Sequence, residues 1–167
     1  GAIYLKKTSS GLLIHKTGQV IIDEVEDAEV IADRWIKVKR SEKWALISLN
    51  GTLLCPFVYD DIFLEGNFWV FEKAGLYAFS NSESINEEAG SGGFTLMFKY
   101  DDYEKVDEEW MIGFKVEMEG LINDQLNFII PWDKHVIFPN RRVAYAKKNG
   151  RYTLYPRLKG ISQSTFD

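Results

Sequence analysis

WALISLNGTLLCPFVYDDIFLEGNFWVFEKAGLYAF (44–79) lies on EGLINDQLNFIIPWDKHVIFPNRRVAYAKKNGRYTL (119–154) without a gap, at a constant offset of 75. Leu46 and Ile47 meet Leu121 and Ile122, and Leu53-Leu54-Cys55-Pro56 meets Phe128-Ile129-Ile130-Pro131. Ile62 meets Ile137, Phe68 and Val70 meet Val143 and Tyr145, and Gly75-x-Tyr77 meets Gly150-x-Tyr152. Matched apolar positions over such a length mark an internal repeat, which decides the fold before any local feature does.

Two weaker copies flank these. Residues 12–22 fall on 45–55 at an offset of 33, with Gly18 on Gly51, and residues 94–102 fall on 53–61 and share Tyr-Asp-Asp. The opening IYLKKTSSGLLIH resembles the end of a copy, VAYAKKNGRYTLY, as if the array began partway through a unit. The expected organisation is one domain, 1–167, with units at 11–43, 44–75, 76–119 and 120–155. The third unit carries an inserted stretch, 83–93, expected to be a mobile loop.

Within a unit the apolar residues alternate with a period of two, the mark of a half-buried strand. Asn50-Gly51 between apolar runs predicts a hairpin with a tight primed turn. Pro56 cannot donate to a ladder and is expected to end its strand. Phe68 and Val70 should occupy one face of a third strand, Trp69 and Phe71 the other. No stretch shows a 3.6-residue period of helical length; residues 103–109 would hold one turn at most. One such unit cannot bury its apolar face alone, so neighbours must stack. The prediction is an all-β array of antiparallel hairpins or three-stranded repeats, twisted, partly barrel-like or propeller-like. Core candidates are Leu46, Leu53, Cys55, Val70 and Tyr77, with Leu121, Phe128, Ile130, Tyr145 and Tyr152.

The pattern W-A-L-I-S-x-N-G-x-x-x-x-P-x-x-Y-D-D-I at 44–62 resembles the bacterial WG-repeat family, with Gly120-Leu121-Ile122-Asn123 the next closest match. Ala45 stands where that family has Gly, and Glu119 where it has Trp. The resemblance implies a repeat fold and a binding role with no catalytic template, and it transfers no functional residues.

Composition fits a folded domain: 167 residues, 46% hydrophobic, 14% aromatic and a net charge of −5. No apolar run reaches the roughly 18–20 residues of a membrane-spanning helix. One cysteine, Cys55, rules out an intramolecular disulfide. Localisation is left open: a leader removed before Gly1 would favour export or the cell envelope, and otherwise the cytoplasm is expected.

The chemistry-bearing residues are few. Cys55 aligns with Ile22 and Ile130, which makes it a packing position. His15 and His135 fall at different phases of the repeat and have no spaced co-ligands for a metal. Asp60-Asp61 and Asp101-Asp102 read as turn carboxylates that bind backbone amides, since no calcium-loop pattern is present. No phosphate-cradling or nucleophile motif occurs. No enzyme and no cofactor is expected.

Charge is segregated: residues 60–119 carry 4 basic and 15 acidic side chains, net −11, whereas 120–167 carry 8 and 3, net +5. Arg141, Arg142, Lys147, Lys148 and Arg151 form a candidate partner-binding patch, interleaved with tyrosines. Nucleic acid is disfavoured as the partner by a pI near 5.2 and by the acidic middle region. The expected function is a non-catalytic interaction module for a protein or cell-envelope partner. The alternatives are a carbohydrate-active or hydrolytic domain with an acidic pair beside a Trp (Asp133 near Trp132) and a structural segment of a longer repeat protein. Self-association through an N-terminal edge strand is a further expectation.

Overall fold

In the computed structural model, residues 3–6, 12–15, 17–81, 85, 96–133, 136–139, 143–156 and 164–166 are described. They form antiparallel meanders, each strand pairing with its neighbours in sequence. The first sheet holds β1 (Ile3–Lys6), β2 (Leu12–His15) and β3 (Val20–Ile22). The second holds β4 (Asp27–Ile31), β5 (Trp35–Arg40), β6 (Lys43–Ser48) and β7 (Leu53–Tyr59). The third holds β8 (Asp61–Glu65), β9 (Phe68–Lys73) and β10 (Leu76–Asn81). The fourth holds β11 (Asp102–Lys105), β12 (Trp110–Lys115), β13 (Met118–Asn123) and β14 (Phe128–Asp133). The fifth holds β15 (Val136–Pro139), β16 (Val143–Lys148), β17 (Arg151–Pro156) and β18 (Ser164–Phe166). The protein is thus all-β, a twisted array with no closed barrel among the described residues.

Each sheet boundary falls inside a sequence unit, because 44–75 supplies the last two strands of one sheet and the first two of the next. The 75-residue offset holds in the pairing itself: Leu46↔Cys55 and Ile47↔Leu53 recur as Leu121↔Ile130 and Ile122↔Phe128. In the third sheet the fourth-strand position is reduced to one bridge, Tyr77↔Tyr100, among the described residues. That is the place residues 94–102 take in the alignment.

Successive sheets pack face to face, and one apolar cluster fills each gap. Ile36, Val38, Ala45 and Ile47 meet Ile21 and Ile22 of the first sheet. On the other face of the second sheet, Trp35, Leu46 and Cys55 meet Ile62, Trp69 and Phe71. Phe68, Val70 and Phe79 meet Met111 and Ile122. Trp110, Ile112, Leu121 and Ile130 meet Ile137, Ala144 and Ala146. The two-face assignment of β9 is therefore right, but the strand is not half-buried: Phe68, Trp69, Val70 and Phe71 are all at 0% exposure. A sheet covered on both sides replaces alternation with a continuous apolar run. Each fully buried large side chain contributes about 1.5–3 kcal/mol.

Of the expected core, Leu46, Cys55, Val70, Leu121 and Ile130 are buried, while Leu53, Tyr77, Tyr145 and Tyr152 are half-buried. Phe128 is 42% exposed and is not a core residue. Ile85, inside the stretch expected to be a mobile loop, is 1% exposed and packs in the cluster between the second and third sheets. The remainder of 83–93 lies outside the described residues.

Two local expectations are corrected. The Asn50-Gly51 link is not a primed turn, because only Gly51 has positive φ (92°). The Gly51 N–H donates to Ser48 O at 3.0 Å and the Ser48 N–H to Thr52 O at 2.9 Å, a three-residue loop closed by a left-handed glycine. Consecutive residues of positive φ lie instead at Ala32-Asp33, Ser41-Glu42, Ala74-Gly75 and Asn149-Gly150. Nor does Pro56 end its strand: β7 runs on to Tyr59. Register shifts between Leu46↔Cys55 and Trp44↔Tyr59 absorb the proline, and β7 is an edge strand where its missing N–H is tolerated.

Candidate functional site

The expected turn carboxylates act as clamps on the backbone. Asp27, Asp61 and Asp102 each accept from the N–H of the following residue through Oδ1, at 2.9, 2.7 and 2.8 Å. One residue earlier, Asp60 and Asp101 reach the far hairpin, accepting from Ala74 N at 2.6 Å and Val116 N at 2.6 Å. Glu26 does the same for Ser41 N and Glu42 N. Lys43 also pairs with Asp60, and this ion pair with the Ala74 amide holds the Asp60 carboxyl below the usual range. These acids are committed to turns.

Cys55 is buried, and desolvation pushes its thiol up to about 12, which removes it as a nucleophile at neutral pH. His135 lies outside the described residues, and for His15 only the β2 backbone is described. No group of metal-ligating side chains converges among the described residues.

Of the candidate basic patch, Arg141 and Arg142 lie outside the described residues. Lys147, Lys148 and Arg151 are exposed on β16 and β17. Lys148 ion-pairs with Asp133, and Lys147 stands 5.1 Å from the Tyr152 ring centroid. These three sit together at the tip of one hairpin, with Lys148 paired directly across from Arg151.

A different constellation encloses a cavity. Gly113 of β12 and Gly120 of β13 are directly paired, leaving a trough without side chains in the middle of the fourth sheet. A Cβ on Gly113 would come within 2.4 Å of the Tyr100 ring, and one on Gly120 within 3.0 Å of Phe128 and 3.1 Å of Trp132. Three aromatic rings thus fill the trough. Trp132 lies 4.8 Å from Tyr100 and 6.1 Å from Phe128, centroid to centroid. Beside these rings is a cavity of about 130 Å³ with Phe79, Tyr100 and Ile122 among its walls. Met97, Leu126 and Phe128, at 65%, 40% and 42% exposure, complete it as an apolar rim.

Two lysines converge there. Lys99 Nζ stands 5.3 Å from both the Phe128 and Trp132 centroids, and Lys115 Nζ stands 5.9 Å from Trp132. Neither has a carboxylate partner among the described residues, although Lys37, Lys39, Lys43, Lys105 and Lys148 all do. Burial, and secondarily Lys115, lowers the Lys99 pKa from its ordinary value. Cation–π attraction holds both ammonium groups over the shelf.

Leu126 adds backbone strain. It sits at φ 62° in the place of Gly51, and its N–H donates to Asn123 O at 2.8 Å as Gly51 does to Ser48. A leucine in this conformation costs about 1–2 kcal/mol.

The sequence alone did not single out this shelf. Its signal was present in Gly113 and Gly120, and in two of the four cations of the acid-rich region. Only the pairing register brings them together.

No family model and no curated protein matches the chain. Among solved structures, Kluyveromyces lactis Hsv2 is similar at TM-score 0.38 and 10% identity, over 83% of this chain and 47% of that one. PorZ, described as an essential bacterial surface component of the type-IX secretion system of Porphyromonas gingivalis, is similar at TM-score 0.31 and 10% identity. That match covers 99% of this chain and 26% of PorZ. The chain therefore spans about half the length of the first of these and a quarter of the second.

Proposed function

We propose that this chain is a non-catalytic, WG-like β-repeat interaction module whose shelf at Met97, Lys99, Leu126, Phe128 and Trp132 binds a protein or cell-envelope partner. The observation that carries this is the shelf itself: exposed apolar side chains round a cavity, with two ammonium groups that have no carboxylate partner among the described residues. A grouped apolar surface on a folded domain marks a contact site more often than scattered exposed residues do. The internal repeats and the turn-bound acids support a binding role over a chemical one.

A carbohydrate-active site would need two carboxylates converging beside Trp132. The acids paired across β13 and β14, Glu119 and Asp133, are engaged by the Ile137 N–H at 2.9 Å and by Lys148. That geometry favours binding.

The test is photo-crosslinking in cells with p-benzoylphenylalanine at position 97, and at exposed position 29 on β4 as control. A discrete adduct at 97, absent at 29 and lost when Phe128→Ser is added, is expected. Equal labelling from both positions would end the proposal.

A further inference from the structure

We infer that the shelf takes an extended polypeptide in which an apolar side chain stands next to a carboxylate: the apolar group enters the cavity and the carboxylate lies between Lys99 and Lys115. This rests on the interaction-module reading and specifies its partner.

Size comes first. A cavity of about 130 Å³ lies well below the roughly 300–1,000 Å³ of small-molecule sites, and near the ~150 Å³ of a cavity that holds one benzene. It suits one side chain of leucine, methionine or phenylalanine size. Charge comes second. Residues 60–119 contain 4 basic and 15 acidic side chains, yet Lys99 and Lys115 both stand over the Trp132 ring with no carboxylate partner among the described residues. Two neighbouring ammonium groups repel each other, and an incoming carboxylate relieves this in a partly desolvated setting. Two ammonium groups over one ring match a single carboxylate beside the anchor better than an acidic run.

Leu126 is the independent sign. A leucine is held at φ 62° where the sibling loop has glycine, and its side chain forms part of the cavity rim.

The same features weigh against other ligand classes. The described residues that wall the cavity present no carboxylate or amide side chain to bind sugar hydroxyls. An anionic membrane would need a broad basic surface, whereas two lysines, Lys99 and Lys115, stand over the shelf among the described residues.

The experiment is selection of a phage-displayed random heptapeptide library on the immobilised chain, followed by fluorescence titration of a synthetic, terminally blocked winner. Winners should carry Asp or Glu adjacent to Leu, Met or Phe. Changing the acid to its amide, or the apolar residue to Ala, should weaken binding about tenfold each. Phe128→Ser should abolish selection, and Lys99→Glu with Lys115→Glu should switch the winners to Lys or Arg beside the apolar residue. An unchanged thermal transition would show that these variants are folded.

Winners without the acidic–apolar pair, winners indifferent to these substitutions, or no enrichment at all would overturn the inference. If peptides fail but phosphatidylglycerol vesicles or an acidic polysaccharide bind in a Phe128-dependent way, the module reading stands without this partner. If crosslinking from position 97 also fails, both fall.

Discussion

β7 and β14 occupy the same place in the repeat, 75 residues apart, and their fates differ. Along β7, Leu54, Cys55 and Tyr59 are buried, and Ile85, Leu96 and Phe98 pack in the same cluster. Along β14 only Ile130 is buried, and Phe128 stands 42% exposed over the glycine trough. The pairing template is shared; the difference comes from single side chains. Gly51 becomes Leu126, Leu53 becomes Phe128, and Trp69, which meets Trp35 edge-on at 5.2 Å, becomes Ala144 opposite Trp110. A repeat fixes the backbone and leaves each copy free to be a core or a surface.

Truncating the two copies should separate those roles. Trp69→Ala removes a fully buried indole between two sheets and should cost about 3–5 kcal/mol, read from urea unfolding. Phe128→Ala should cost about 1 kcal/mol or less, as expected for a half-exposed ring. Equal losses would mean that the shelf is part of the core.

Closing the trough comes next. Gly113→Ala places a methyl against the Tyr100 ring and should destabilise by about 1–3 kcal/mol. In a chain that already carries Tyr100→Ala, adding Gly113→Ala should cost less than it does in the parent, read as a coupling energy. A Gly113→Ala variant as stable as the parent would show that the ring is not seated there.

Exchanging the loop residues gives a smaller and oppositely signed pair. Leu126→Gly relieves a left-handed leucine and should stabilise by about 1 kcal/mol while weakening any ligand. Gly51→Leu should destabilise, since its Cβ would come within 2.9 Å of the Ile21 side chain. Thermal unfolding of both variants checks the signs.

The most gradual effect is with pH. Desolvation pushes Cys55, Tyr59, Tyr100 and Tyr103 up to about 12, from 9.0 for the thiol and 10.0 for the phenols. The folded state therefore holds these protons where the unfolded state has lost them. Their stabilisation is fully present below about pH 9 and is lost as pH rises toward 12. Urea midpoints measured from pH 8 to 11 should fall, and iodoacetamide at pH 8 should label Cys55 only after unfolding.

The all-β class, the 75-residue register and the packing role of Cys55 were legible because repeated copies report on one another. The burial of both strand faces was not, because period-two alternation in Thr52–Cys55 and a continuous run in Phe68–Phe71 both arise from stacked sheets. Lys37 shows the same limit. It sits where siblings have Val70 and Ile112, yet it is 6% exposed, ion-paired to Asp61 and 4.2 Å from the Trp44 centroid. The expected patch at Arg141, Arg142, Lys147, Lys148 and Arg151 follows linear charge density. Lys99 and Lys115 lie 16 residues apart in a net acidic stretch, and linear density cannot see two cations that meet only through strand pairing.

Pro56 and Pro131 are both exposed on the outermost strands of their sheets, β7 and β14. A strand laid along either edge would find a gap in the row of amide donors, which makes these margins poor templates for amyloid-like growth. A visiting chain at β14 must then be recognised by what its side chains are, and not by the backbone ladder that any sequence could supply.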